Sequence, residues 1–171
     1  GAIRDKETLD IAIRAAMTGH LVLSTLHTNS AVATVERLLD MGTEPFLVAS
    51  SLRLVVAQRL VRRNCLACFV QELSGVERKA ASRLNMAIAS SAGQGTGCTE
   101  CGHSGFRGRV AVYEVLVIDD TLREAIVRRA AEHELRALAC RVGFRSMGQT
   151  AQVLINQGIT TPGEVLRETQ L

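Results

Sequence analysis

The sequence predicts an α/β chain with a metal-stapled excursion in its middle, and three observations carry that expectation. A helix, a strand and a second helix follow one another within the first 42 residues, the alternation from which α/β layers are built. Four of the five cysteines form two Cys-x-x-Cys pairs in a glycine-rich central stretch. The segment beyond them opens with a strand and then reads mostly as helix.

Taken in order, DKETLDIAIRAAMTG predicts a helix from about Asp5 to Thr18. Asp5 can cap it, Glu7 lies near its positive end, and Gly19 can take the left-handed stop. LVLSTL, residues 21–26, predicts a strand. SAVATVERLLDMG predicts a second helix with Val32, Val35 and Leu39 on one face, capped by Ser30 or Asn29 and ended by Gly42. After EPF, LVASSLRLVVAQRLVRR predicts a short helix passing into a strand around Val55–Val61.

From Asn64 to Gly108 the character changes, and six of the 14 glycines fall between Gly93 and Gly108. This stretch reads as a loop-rich excursion with a short helix around VERKAASRLNMAI and with GQGTG as a flexible lead into the second cysteine pair. RVAVYEVLVI resumes strand character. TTPGEVLRE starts the final helix, with Thr161 as cap, Pro162 in the first helical position and Glu164 placed to close a capping box. These changes divide the chain into residues 1–63, 64–108 and 109–171.

An apolar content of 47% over 171 residues is ample for a buried core. The net charge of +3 comes from 18 arginines and two lysines against 17 acids scattered along the chain, the pattern of an ordinary solvated surface. Aromatics at 3% leave little to stack bases on, so a nucleic-acid partner is not expected. No apolar run approaches the roughly 18–20 residues of a membrane helix, and residues 1–20 carry charges where a signal peptide needs an apolar stretch. A soluble chain without direct membrane insertion is expected, in a reducing compartment where paired cysteines hold metal more often than they form disulfides. Cys140, alone in LRALACRVGF, reads as a small core residue.

The metal pattern is Cys65-Leu66-Ala67-Cys68, 29 residues, then Cys98-Thr99-Glu100-Cys101. Two residues between cysteines let both sulfurs converge on one ion, and two such pairs complete a tetrahedral thiolate site of the structural zinc kind. Gly102 permits the turn that aims backbone N–H groups at sulfur. A redox Cys-x-x-Cys would want a βαβ neighbour, which the surrounding sequence does not supply, and four thiolates leave His103 a bystander. Four protein ligands also leave no open position for catalysis. Because the excursion has little apolar core, the metal is its expected staple.

His27 follows the predicted strand LVLSTL, flanked by Thr25, Thr28 and Asn29. Ligands of parallel α/β sheets sit at the carboxyl ends of strands. On position alone a functional histidine and a capping or packing histidine stand level.

The run IRDKETLDIAIRAAMTGHLVLSTLHTNSAVATVERLLDMGTEPFLVASSLRLVVAQRLVRR resembles the secretion ATPases of type II secretion and type IV pilus assembly. The four cysteines, GFRGRVAVYEVL and GITTPGEVLRET continue the resemblance over essentially the whole chain. It implies the C-terminal portion of a RecA-like P-loop ATPase core, followed by a small tetracysteine zinc-binding subdomain and a mostly helical subdomain. It implies a cytoplasmic homo-hexameric motor that hydrolyses ATP with magnesium, peripheral at the inner membrane through secretion-platform proteins. His27 and His20 match the family's histidine box, and His27 is expected near the γ-phosphate. Thr28, Asn29, Arg59 and Arg62 are weaker candidates for contacts to nucleotide or a neighbouring subunit.

Two departures stand out. Ala2 occupies the place of the family's Walker B glutamate, and no lysine lies in a Gly-Lys-Ser/Thr loop, since Lys6 follows Asp5 and Lys79 follows Arg78. These residues alone are therefore expected not to hydrolyse ATP. DMGTEPFL, EVLVIDD and the cysteines favour the type II secretion branch; a pilus assembly ATPase and a non-enzymatic zinc-ribbon interaction module are the alternatives.

Overall fold

Asp5 accepts the Thr8 N–H at 2.8 Å and starts α1 (Lys6–Met17), which ends before Gly19 at φ +93°. α2 (Ala31–Asp40) starts at Ser30, whose hydroxyl accepts from Ala33 N–H at 3.0 Å, and stops before Gly42 at φ +85°. α3 (Pro45–Ser51) leads into β1 (Leu54–Asn64). Then come β2 (Phe69–Val70), α4 (Gly75–Arg83), β3 (Gln94–Gly95), β4 (Phe106–Val117), α5 (Asp120–Val127), α6 (Glu132–Arg141), α7 (Met147–Asn156) and α8 (Pro162–Thr169). The structure, a computed structural model, describes residues 1–169.

β1 pairs with β4, and β2 pairs antiparallel with β3 through Phe69 opposite Gly95 and Val70 opposite Gln94. Just beyond the long pair, Ile118 N–H donates to Arg53 O at 3.0 Å and Cys65 N–H to Gly105 O at 2.9 Å, so β1 and β4 run in opposite directions.

The chain groups into two units, one formed by Gly1–Ala57 with Glu114–Arg145 and the other by Gln58–Tyr113 with Ser146–Leu171. Both units are discontinuous in sequence. Composition marks where character changes along the chain, but long strands carry the chain out of one unit and back. In the first unit α3 packs on α1, α2 and α5, and α6 packs on α2 and α5. Its core includes Leu9, Ile13, Val32, Val35, Val48, Leu116, Leu122, Ile126 and Leu135. In the second unit α8 packs on α4 and α7, around Val61, Val112, Ala151, Ile155 and Val165.

Three expectations need correction. LVLSTL forms no strand: a single parallel bridge joins Thr25 to Ala2, and Leu21 and Leu23 stand 87% and 83% exposed. A strand exists only where a neighbour takes up its N–H and C=O groups, and among the described residues only 1–3 lie alongside, with Ile3 N–H donating to Thr25 O at 2.9 Å and the Ser24 hydroxyl adding a side-chain bond to Gly1 O at 2.5 Å. Cys140 is exposed rather than core, because Leu135 and Ala139 occupy the inner face of α6 and the next position turns about 100° away. GQGTG is tightly packed: a Cβ on Gly93 would stand 2.2 Å from Val70 O, and one on Gly95 2.0 Å from Gly105 O.

Candidate functional site

The cysteines converge in the second unit. β1 ends at Asn64, Cys65 follows directly, and a single 3₁₀ turn, Leu66–Cys68, brings Cys68 back toward it. The second pair stands on the 3₁₀ turn Thr99–Cys101, closed by Gly102 in the left-handed conformation at φ +57°. The four sulfurs lie within 4.8 Å of one another, with separations of 3.9 Å for Cys65–Cys98, 3.9 Å for Cys68–Cys101 and 3.8 Å for Cys98–Cys101. A tetrahedron with zinc–sulfur arms of about 2.3 Å has edges of about 3.8 Å. The cysteines therefore already stand at the spacing of a closed zinc site, and they are too far apart to be disulfides at about 2.05 Å.

Backbone N–H groups surround the sulfurs. Gly97 donates to Cys68 Sγ at 3.2 Å, and Cys98 and Gly105 donate to Cys101 Sγ at 3.2 and 3.3 Å. The Cys98 N–H, with Gly105 adding to it, outweighs burial and holds the Cys101 thiol down to about 6, while, against the Cys101 N–H, burial and the neighbouring Cys101 and Cys65 sulfurs push the Cys98 thiol up to about 11. A thiol held in its anionic form is the ligand that zinc requires. Asn64 secures the approach: its Nδ2 donates to Gly93 O at 3.0 Å and Gly158 O at 2.9 Å. His103 is exposed and outside the sulfur cluster.

The histidine segment lies in the first unit. His27 is exposed at the end of the extended stretch, three residues ahead of the α2 cap. Behind it, Thr28 Oγ1 meets Thr34 Oγ1 at 2.7 Å, and Thr34 Oγ1 donates to Ser30 O at 3.0 Å. Asn29 is exposed, and so is His20, whose Nδ1 lies 3.1 Å from Thr18 Oγ1. The loop thus presents an imidazole and polar side chains on a backbone tied to the first turn of α2.

Arg59 and Arg62 belong to the second unit. Arg59 Nη1 donates to Gln58 O at 3.0 Å. Arg62 is committed within its own unit, hydrogen-bonded to Glu164 and stacked with its Cζ 4.2 Å from the centre of the Phe106 ring. Glu164 therefore serves Arg62 rather than reaching back over its own helix start, where Thr161 Oγ1 accepts the Glu164 N–H at 3.3 Å.

Glu114 escaped the sequence reading. It is 3% exposed on β4, and its Oε1 accepts the Ala31 N–H at 2.6 Å, at the first residue of α2. The signal was present: in VAVYEVLVI the period of two puts Val112, Glu114, Leu116 and Ile118 on one face, so an acid sits in an apolar register.

Comparison with solved structures shows an α/β fold of the secretion-motor class. The solved pilus retraction motor PilT with bound ADP superposes with a TM-score of 0.62 at 26% identity, covering 98% of this chain and 37% of that one. The Legionella pneumophila ATPase DotB shares the fold at a TM-score of 0.60, covering 96% of this chain and 36% of that one at 24% identity. The family model described as Type II/IV secretion system protein matches residues 1–167, and the chain belongs to that family. Type II secretion system protein HxcR of Pseudomonas aeruginosa is 45% identical over 99% of this chain and 33% of its own length. Type IV pilus assembly ATPase PilB of Myxococcus xanthus is 43% identical over 99% of this chain and 30% of its own. The chain thus spans about a third of the curated relatives it matches. No helix among the described residues is long and apolar enough to cross a membrane.

Proposed function

We propose that these residues are the C-terminal part of a homo-hexameric ATPase motor that drives pseudopilus assembly and protein export by type II secretion. The observation that carries this reading is the 45% identity over 99% of the chain to the type II secretion proteins of Pseudomonas aeruginosa and Klebsiella pneumoniae. The motor works in the cytoplasm and meets the inner membrane through platform proteins. The RecA-like core contributes the histidine segment, and ATP and magnesium are held with the help of residues outside the 171 present here.

Within that motor His27 donates from its imidazole to the γ-phosphate or holds the attacking water in line, and His20, Thr28 and Asn29 line the same loop. Cys65, Cys68, Cys98 and Cys101 bind one structural zinc ion, which supplies folding energy to the excursion and takes no part in hydrolysis. With no phosphate loop and with Ala2 at the Walker B position, these residues do not hydrolyse ATP alone.

Preorganised donors at developing charge each lower a barrier by about 3–4 kcal/mol, so His27→Ala in the full-length motor slows turnover about 100-fold or more. Unchanged turnover in normal hexamers overturns the role. A second reading, type IV pilus assembly, is favoured by 43% identity to PilB of Myxococcus xanthus and of Thermus thermophilus. Complementation separates the two: the type II motor restores export to a secretion-deficient strain and fails to restore pili to a pilus-deficient one. A free-standing zinc-ribbon module does not account for a match running over residues 1–167.

A further inference from the structure

Glu114 is a carboxylate in an apolar strand face, 3% exposed between Val112 and Leu116, which are themselves 0% and 1% exposed. Burial of a carboxylate is unfavourable unless hydrogen bonds compensate it. Its Oε1 accepts the Ala31 N–H at 2.6 Å across 83 residues of sequence. Ala31 opens α2, where the helix dipole and free N–H groups favour negative charge. Ser30 Oγ takes the next available donor, Ala33 N–H, at 3.0 Å. Two of the amides in the first turn of α2, those of Ala31 and Ala33, are therefore satisfied from within the protein.

We propose that Glu114 is the positioning residue of the His27 loop. It pins the first amide of α2 to β4, and that amide is four residues from His27. A second tie acts from the other side, since Thr34 bonds both Thr28 Oγ1 and Ser30 O. With Ala31 fixed by Glu114 and Thr28 fixed by Thr34, residues 28–31 are held at both ends, and His27 joins this segment directly at the anchored Thr28. Glu114 touches no substrate. It acts through the loop, and a misplacement of about 1 Å at a reacting group costs as much as 100-fold in rate. This inference rests on the γ-phosphate role proposed for His27.

The test uses the full-length motor protein as an assembled hexamer. Glu114→Ala lowers kcat about tenfold or more with KM for ATP within about twofold, because binding groups elsewhere are untouched. Glu114→Gln keeps an Oε1 acceptor and stays within about threefold of the parent. Should Glu114→Ala fail to assemble, Ala31→Pro removes the donor instead. Proline suits the first position of a helix, and Ser30 at φ −143° and ψ 162° already has the extended backbone that a following proline demands. It gives the same loss of kcat.

In a His27→Ala background Glu114→Ala costs no more than about a further twofold, since both act through one group. Amide exchange over residues 27–33 rises in Glu114→Ala while α5 and α6 keep their protection. Unchanged kcat, unchanged exchange or fully additive losses with His27→Ala in a His27-dependent enzyme overturn the proposal alone. Unchanged turnover in His27→Ala by itself overturns the phosphate role, and the kinetic role of Glu114 with it.

Discussion

Glu164 holds Arg62 from three directions: it accepts the Arg62 backbone N–H at 3.0 Å, Nε at 3.1 Å and Nη2 at 2.9 Å. Its side chain is 2% exposed, and Arg167 supplies a second ion pair. This ties the first turn of α8 to β1, and the Phe106 ring against Arg62 closes the other face of the guanidinium. Arg62→Ala leaves the buried carboxylate with Arg167 and one backbone donor. It lowers stability by about 2–3 kcal/mol, read from urea denaturation. Arg62→Lys recovers little, since an ammonium cannot make the forked contact or stack in the same way. A raised KM for ATP with an unchanged denaturation midpoint would return Arg62 to the nucleotide-contact role instead.

The same carboxylate gives a pH dependence. Burial pushes Glu164 up, but the hydrogen bonds and charge of Arg62, with Arg167 behind it, outweigh burial and hold its carboxyl below the ordinary glutamate range. A folded pKa below the unfolded one means that the group's stabilisation is complete above the unfolded value and is lost as pH falls through the folded one. The parent protein therefore loses stability more steeply than Glu164→Gln as pH is lowered from about 5 toward 3. Denaturation midpoints of the two across that range check it, and parallel slopes would contradict it.

Glu77 caps a helix that is not its own. From α4 it accepts the Gly163 N–H of α8 at 2.6 Å, and α4 and α8 pack against each other. An acid at a helix start, satisfying an amide that lacks an intrahelical partner, is worth about 1 kcal/mol. Glu77→Ala lowers stability by about that amount and raises amide exchange in the first turn of α8, whereas Glu77→Gln keeps most of both. Equal losses in the two variants would show that charge, not hydrogen bonding, carries the contact.

Much of this was legible in sequence because it is local. Asp5, Ser30 and Thr161 cap the helices they precede, and two-residue cysteine spacing brings thiolates together whatever surrounds them. LVLSTL was misread because apolar alternation reports a capacity for pairing, while a strand needs a neighbour. The capping-box reading of Glu164 failed for a related reason: a partner 102 residues away outcompeted the local one. Glu114 and Glu77 act across the fold on helix starts remote in sequence, and no local pattern names their targets. The glycines of GQGTG looked like slack, yet in the structure they allow one backbone to lie against another.

Gly95 makes that last point testable. A Cβ there would stand 2.0 Å from Gly105 O and 2.7 Å from Gly105 C, backbone atoms that cannot swing aside as a side chain would. Gly105 is held at both ends by the cysteine site: its N–H donates to Cys101 Sγ at 3.3 Å, and its carbonyl accepts the Cys65 N–H at 2.9 Å. Gly95→Ala therefore displaces the groups that orient two of the four thiolates. Loss of such supporting contacts costs about 10–100-fold in metal affinity. The parent protein, purified reduced without added metal, carries about one equivalent of zinc, and competition with a chromophoric chelator shows the variant releasing it at correspondingly lower chelator concentration. Thr96→Val, which exchanges only the hydroxyl bonded to Cys68 O at 3.1 Å for a methyl, serves as the neighbouring control and keeps its zinc within about threefold. Equal affinity in Gly95→Ala and the parent would mean that the 93–97 segment does not support the site.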